Sequence, residues 1–144
     1  MLFITVKNAG KIIFKKIKME NNKSKKILVA EDEKAIAKAL TLKLQHVGYE
    51  VTTVFDGKSA ISALEKEAFD LALMDLVMPV MDGFGALEEI KKKNIKTPVI
   101  ILSNLSQEED LQKVKALGAK DYFIKSNTPL SEIVKRVETF FASN

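Results

Sequence analysis

The chain has 144 residues, of which 47% are hydrophobic, and it contains neither cysteine nor tryptophan. This length suits one domain with its own core, and the absence of cysteine excludes a disulfide scaffold, a cysteine nucleophile and a thiolate metal site. The formal net charge of +4 is uneven, because residues 1–26 hold eight lysines against one glutamate. No apolar run approaches the roughly 20 residues that cross a bilayer, so we expect a cytoplasmic protein.

The lysine-rich beginning of the chain differs in composition from the remainder. We predict that residues 1–25 form a basic tail, either disordered or an extension from an upstream start, and that residues 26–144 form the folded domain. Within the tail, the run Ile-Ile-Phe-Lys-Lys-Ile-Lys at 12–18 is of the amphipathic basic kind that binds anionic lipid, which leaves a membrane-surface role open.

From residue 26 onward the pattern alternates between strand and helix five times. The predicted strands are short apolar runs, at 27–31, 50–54, 70–75, 98–103 and 120–124. The predicted helices carry apolar residues at helical spacing, at 33–47, 57–67, 83–93, 107–117 and 129–142. Five such units with short connections predict an α/β protein with a doubly wound (βα)5, flavodoxin-like, three-layer sandwich and a parallel sheet of order 2-1-3-4-5.

Polar residues stand where four of the predicted strands end. Glu31-Asp32 follows the first strand, Asp75 ends the third, Ser103 ends the fourth and Lys125 follows the fifth. The carboxyl ends of parallel strands form the ligand-binding edge of such a sheet, so we expect these groups to converge.

Neighbouring carboxylates raise each other's pKa unless a cation is present, and an all-oxygen site suits Mg²⁺. Asp75 is the predicted nucleophile toward a phosphoryl group, with Lys125 offsetting charge.

This order of motifs resembles the receiver domain of two-component response regulators. The resemblance covers about residues 26–142 and includes the run Met-Asp-Leu-Val-Met-Pro-Val-Met-Asp-Gly around Asp75 and a Tyr-x-x-Lys ending in Lys125. It implies that Asp75 is the phosphoacceptor and that Lys125 contacts the phosphoryl group. The implied ligands of Mg²⁺ are the carboxylates of Glu31, Asp32 and Asp75 and the backbone carbonyl of Val77.

The resemblance also implies a conformational switch. The Ser103 hydroxyl would turn toward the phosphoryl group and the Tyr122 ring would follow it, with helix 4, strand 5 and helix 5 as the face that partners read. The implied phosphodonor is a histidine kinase or a phosphotransfer protein. The implied output is a downstream protein target, together with a phosphorylation-dependent homodimer, and the chain would catalyse only its own phosphorylation and dephosphorylation.

The sequence shows no output domain after the last helix, so we expect a stand-alone regulator without direct DNA binding. The main alternative is a receiver-like binding module that acts without phosphorylation. A haloacid dehalogenase type of hydrolase is disfavoured because Val77 stands where a second acid is needed. A flavodoxin-like FMN carrier is disfavoured because the acidic residues 31–33 would repel a phosphate.

Two residues depart from the family pattern. Ser126 follows Lys125 where proline, often with a cis bond, is common, so we expect a trans or strained peptide there. Asn104 follows Ser103 where a small residue is usual, and we expect it to narrow access to Asp75 or to contact the phosphoryl group. The positions that flank the path of attacking water in this family, Val77 and Leu105, are apolar here. They predict slow self-dephosphorylation.

Overall fold

The computed structural model describes residues 10–13 and 25–143. Its strands are β1 (Lys26–Ala30), β2 (Glu50–Val54), β3 (Leu71–Met74), β4 (Val99–Ser103) and β5 (Asp121–Ile124). Its helices from residue 25 onward are α1 (Lys34–His46), α2 (Gly57–Lys66), α3 (Gly83–Lys92), α4 (Glu108–Ala116) and α5 (Leu130–Ala142). A 3₁₀ turn, Lys125–Asn127, joins β5 to α5.

The five strands form one parallel sheet of order β2-β1-β3-β4-β5, which confirms the predicted fold class. Its central strand β3 is buried along its whole length, whereas the edge strand β2 alternates between exposed and partly buried residues. This difference follows from position, because a central parallel strand is covered on both faces and reads as a continuous apolar run.

Helices cover both faces of the sheet and create two separate cores. One core packs α2, α3 and α4 against one face, and it includes Ile61 of α2 and Leu87 of α3. The other core packs α1 and α5 against the opposite face, and it includes Leu40 of α1 and Val137 of α5. The predicted three-layer sandwich is therefore present.

The predicted elements are all found, and their ends shift by about one residue. The third strand was predicted at 70–75, but β3 ends at Met74, so Asp75 lies just beyond the strand. The first strand was predicted to include Glu31, but β1 ends at Ala30. Both residues still donate their backbone N–H to the neighbouring strand, Glu31 to Val54 and Asp75 to Ala30, so each lies directly at the end of its strand.

Aspartate–glycine pairs start two of the helices, as their sequence predicts. The Asp82 carboxylate accepts a hydrogen bond of 2.8 Å from the backbone N–H of Gly85, which caps α3. Gly83 donates its N–H to the carbonyl of Leu76 at 2.8 Å, so the start of α3 rests directly on the residues that follow β3. A side chain at Gly83 would meet the backbone carbonyl of Asp75 and lie 2.7 Å from the Cα of Leu76.

Most of the basic tail predicted at 1–25 lies outside the described residues. Residues 10–13 are helical, and the side chains of Ile12 and Ile13 are exposed. None of the helices in the described ranges combines the length and the apolar character needed to cross a bilayer.

The close contact at Gly83 leads to a stability prediction. Gly83→Ala should lower the free energy of unfolding by about 2 kcal/mol, because the added methyl group has to displace backbone atoms rather than a flexible side chain. Gly85→Ala is the matched control in the same helix. Its methyl group would meet the flexible Met81 side chain at 3.2 Å, so a gain of up to about 1 kcal/mol is expected from helix propensity. Urea denaturation of both variants measures this difference, and equal effects would contradict it.

Candidate functional site

Strand register brings the polar residues of β1 and β3 together. Ala30 pairs with Met74 at the carboxyl ends of these strands, and the backbone N–H of Asp75 donates to the carbonyl of Ala30 at 3.0 Å. Glu31 and Asp75 therefore leave adjacent strands at the same height. Both are buried, with 2% and 4% of their surface exposed.

Three carboxylates form an acidic cluster at this edge of the sheet. Glu31, Asp32 and Asp75 each offer one oxygen atom, and these oxygens lie within 4.8 Å of one another. Such a set of hard oxygen donors fits a divalent cation such as Mg²⁺. Because two of the three side chains are buried, water screens their mutual repulsion poorly, which increases the advantage of a bound cation.

Lys125 brings a positive charge into the cluster from the end of β5. Its ammonium nitrogen lies 2.7 Å from Glu31 Oε1 and 2.9 Å from Asp75 Oδ2, and the side chains of all three residues are almost fully buried. It also lies 3.2 Å from Glu33 Oε1, whose side chain is exposed. This contact of Glu33 was not predicted, although Glu33 continues the acidic run at 31–33.

The titration of this cluster reflects burial and pairing together. Burial raises the pKa of the Glu31 carboxyl to about 7, although hydrogen bonds from Lys125 and from the Glu33 backbone oppose this shift. Burial alone would lower the pKa of the Lys125 ammonium, but its hydrogen bonds to Glu31 and Asp75 outweigh burial and raise that pKa. Glu31 therefore binds a proton more readily than a free carboxyl group does, and Lys125 keeps its positive charge.

The second oxygen of Asp75 is held by the loop that follows it. Asp75 Oδ1 accepts the backbone N–H of Leu76 at 2.7 Å and that of Val77 at 3.3 Å. With Oδ2 on Lys125, this fixes the carboxylate orientation. The side chain of Val77 is exposed, and its backbone N–H contacts the Asp75 carboxylate of the acidic cluster.

The two predicted switch residues occupy neighbouring strands. Ser103 is fully buried at the end of β4, and its hydroxyl oxygen lies 3.5 Å from the backbone N–H of Leu105. Tyr122 is half-buried on β5, and its hydroxyl donates to the backbone carbonyl of Leu105. Burial raises the pKa of Tyr122, so its hydroxyl keeps its proton at neutral pH. The loop after Ser103 is thus in contact with Tyr122.

The residues that depart from the family pattern contact each other. All peptide bonds within the described ranges are trans, including the one between Lys125 and Ser126. The side-chain oxygen of Asn104 accepts the backbone N–H of Ser126 at 2.8 Å. This hydrogen bond was not foreseen from the sequence, because residues 104 and 126 come together only when β4 and β5 pair.

Comparison with known proteins identifies related families and folds. The family model for the response regulator receiver domain matches residues 27–138. Regulatory protein VanRc of Enterococcus gallinarum is 46% identical over 118 residues, which are 81% of this chain and 49% of that protein. The probable transcriptional regulator ycf27 of Galdieria sulphuraria is 38% identical over 133 residues, which are 88% of this chain and 52% of that protein. The chain spans about half the length of these curated relatives.

Solved structures agree with this result. The receiver domain of a Francisella response regulator superposes with a TM-score of 0.76 at 36% identity, covering 83% of this chain and 98% of that one. The Vibrio cholerae chemotaxis protein CheY4 superposes with a TM-score of 0.73 at 30% identity, covering 80% of this chain and 97% of that one.

The buried ion pairs of Lys125 generate a second prediction. Lys125→Met should lower the free energy of unfolding by about 3 kcal/mol at neutral pH in a chelating buffer, because it leaves buried carboxylates without a counter-charge. The control is Lys93→Met. Lys93 forms an exposed pair with Glu65 at 3.4 Å, so its loss should cost no more than about 1 kcal/mol. Chemical denaturation measures both, and a Lys125→Met variant as stable as the control would refute the prediction.

Proposed function

Because this chain belongs to the receiver-domain family of two-component response regulators, we propose that it accepts a phosphoryl group on Asp75. The donor is the phosphohistidine of a histidine kinase or of a phosphotransfer protein. The observation that carries the proposal is the position of Asp75, whose buried carboxylate lies within one cluster with Glu31, Asp32 and the Lys125 ammonium.

The reaction requires few protein groups beyond this cluster. A carboxylate oxygen of Asp75 attacks the phosphorus atom, and the bond between phosphorus and the donor's imidazole nitrogen breaks with its electron pair leaving on the imidazole. Lys125 already contacts Asp75 at 2.9 Å, so its ammonium can offset negative charge on the phosphoryl oxygens during transfer. Asp75 needs no proton transfer, because it reacts as a carboxylate.

We propose that Mg²⁺ binds at Glu31, Asp32 and Asp75, with the backbone carbonyl of Val77 as a further ligand. The spacing of the carboxylate oxygens, within 4.8 Å, supports this assignment. When bound, the ion supplies positive charge that draws the donor's phosphoryl group and the Asp75 carboxylate together. Asp32 is only partly buried, so it gives the site an open side toward solvent.

Phosphorylation would then act on the loop that follows Ser103. The proposed switch moves the Ser103 hydroxyl toward the phosphoryl group, and Tyr122 follows because its hydroxyl is bonded to Leu105 in that loop. Partners would read the change on the face made by α4, β5 and α5, either as a downstream target or as a second copy of the chain. The chain would catalyse no reaction other than its own phosphorylation and dephosphorylation.

The wider organisation stays a prediction. We propose a receiver domain at residues 26–144, preceded by a basic tail at 1–25, that acts in the cytoplasm. The part of this chain that matches two relatives named as probable transcriptional regulators covers 52% and 49% of their lengths. A receiver-like module that works without phosphorylation is the alternative function.

The first test is chemical phosphorylation of the whole chain. Incubation with phosphoramidate and Mg²⁺ should add the mass of one phosphoryl group, and Asp75→Asn should add none because an amide is not a nucleophile here. Asp32→Asn should require a higher Mg²⁺ concentration, since one cation ligand loses its charge. Intact-mass spectrometry over time follows all three proteins.

Asp70→Asn serves as the matched control, because Asp70 is exposed at the opposite end of β3 and accepts the N–H of Lys26. It should be phosphorylated like the unmodified chain. A mass gain that persists in Asp75→Asn would place the phosphoryl group elsewhere. No gain in the unmodified chain, with Mg²⁺ binding confirmed, would favour the phosphorylation-independent module.

The lifetime of the phosphoryl group is a separate prediction. The two positions that flank the path of attacking water in this family are Val77 and Leu105, whose apolar side chains cannot orient a water molecule by hydrogen bonding. We expect slow loss of the phosphoryl group after removal of the donor, and faster loss in Val77→Asn. Intact mass recorded over time measures both decays, and a lifetime of only seconds in the unmodified chain would contradict the prediction.

A further inference from the structure

The turn that carries Lys125 is tied by a hydrogen bond to the loop that follows Ser103. The side-chain oxygen of Asn104 accepts the backbone N–H of Ser126 at 2.8 Å. Since a backbone N–H only donates, the amide oxygen rather than the amide nitrogen of Asn104 must face it. The oxygen of this side chain is therefore engaged with the turn of residues 125–127.

This hydrogen bond lies just beyond the point where backbone pairing between β4 and β5 ends. The ladder between β4 and β5 ends where Ser103 pairs with Ile124. The next residues along the two strands are Asn104 and Lys125, so backbone pairing stops just where the proposed site begins. The bond from Asn104 to Ser126 continues the connection across this gap, one residue beyond Lys125.

A second contact ties the same loop to β5. The Tyr122 hydroxyl donates to the backbone carbonyl of Leu105, so consecutive loop residues are bound to residues on either side of Lys125. These two contacts differ in their chemistry. The Tyr122 contact uses a ring that the proposed switch moves, whereas the Asn104 contact joins a short side chain to backbone and depends on no ring movement.

We propose that Asn104 is a positioning residue for phosphoryl transfer, acting through the N–H of Ser126 on the place of Lys125. Its hydrogen bond holds the turn that carries Lys125, so that the Lys125 ammonium keeps its place beside the Asp75 carboxylate. This inference rests on the proposed function. It assigns to Asn104 an orienting role rather than contact with the phosphoryl group or control of access.

The test compares phosphorylation rates of the full-length chain with phosphoramidate. Asn104→Ala should lower the rate at saturating phosphoramidate and Mg²⁺ by about fivefold, the effect of one net hydrogen bond. The Mg²⁺ concentration for half-maximal rate should stay unchanged, because Asn104 touches no carboxylate of the cluster. Asn127→Ala is the matched control. Asn127 is exposed in the same turn, and its loss should leave the rate as it was.

A second pair of variants separates positioning from a general structural effect. Ser126→Pro removes the N–H that Asn104 accepts. Adding Asn104→Ala to that variant should change the rate no further, because the hydrogen bond is already gone. An equal fivefold loss in both backgrounds would overturn the proposal, and so would an unchanged rate in Asn104→Ala alone.

Amide hydrogen exchange tests the hydrogen bond between Asn104 and Ser126 without a phosphorylation reaction. The Ser126 N–H should exchange faster in Asn104→Ala than in the unmodified chain, as followed by NMR, while amides of β1 keep their protection.

If the unmodified chain gains no phosphoryl group, the proposed function fails and the positioning role fails with it. If it gains one and Asn104→Ala reacts at the same rate, only the positioning role fails.

Discussion

The carboxyl edge of the sheet depends on the ion pairs that the Lys125 ammonium forms with Glu31 and Asp75. This ammonium joins β5 to the residues that follow β1 and β3, through contacts of 2.7 Å to Glu31 and 2.9 Å to Asp75. A buried pair of this kind contributes little net stability relative to an apolar core, but removing one partner strands the other charge. Loss of Lys125 would leave the Asp75 carboxylate without its counter-charge. The proposed phosphoryl transfer would use this same counter-charge.

The remainder of the fold serves to hold this edge rigid. Both faces of the sheet are packed by helices, so β3 cannot move without disturbing two cores. The start of α3 rests on the backbone of Asp75 and Leu76, and only a glycine at position 83 permits that approach. The Asp75 carboxylate is thereby fixed by its strand, by its own loop and by the helix that follows.

By contrast, the loop after Ser103 is held by few contacts. Tyr122 contacts its backbone through one hydroxyl, and Asn104 reaches across to Ser126 through one amide. Such a loop can change position at modest free-energy cost, because a single hydrogen bond contributes only about 1 kcal/mol net. A rigid Asp75 beside an adjustable loop is compatible with the proposed two-state switch.

The sequence by itself determined the fold class, the strand order and the set of polar residues at the strand ends. It could do so because buried parallel strands appear as apolar runs and because such sheets gather their carboxyl ends at one edge. Tertiary structure alone decided which further groups contact this set. The reach of Lys125 to Glu33 and the bond from Asn104 to Ser126 join residues 92 and 22 positions apart in the chain. Such contacts depend on strand register and side-chain orientation, which local sequence patterns do not encode.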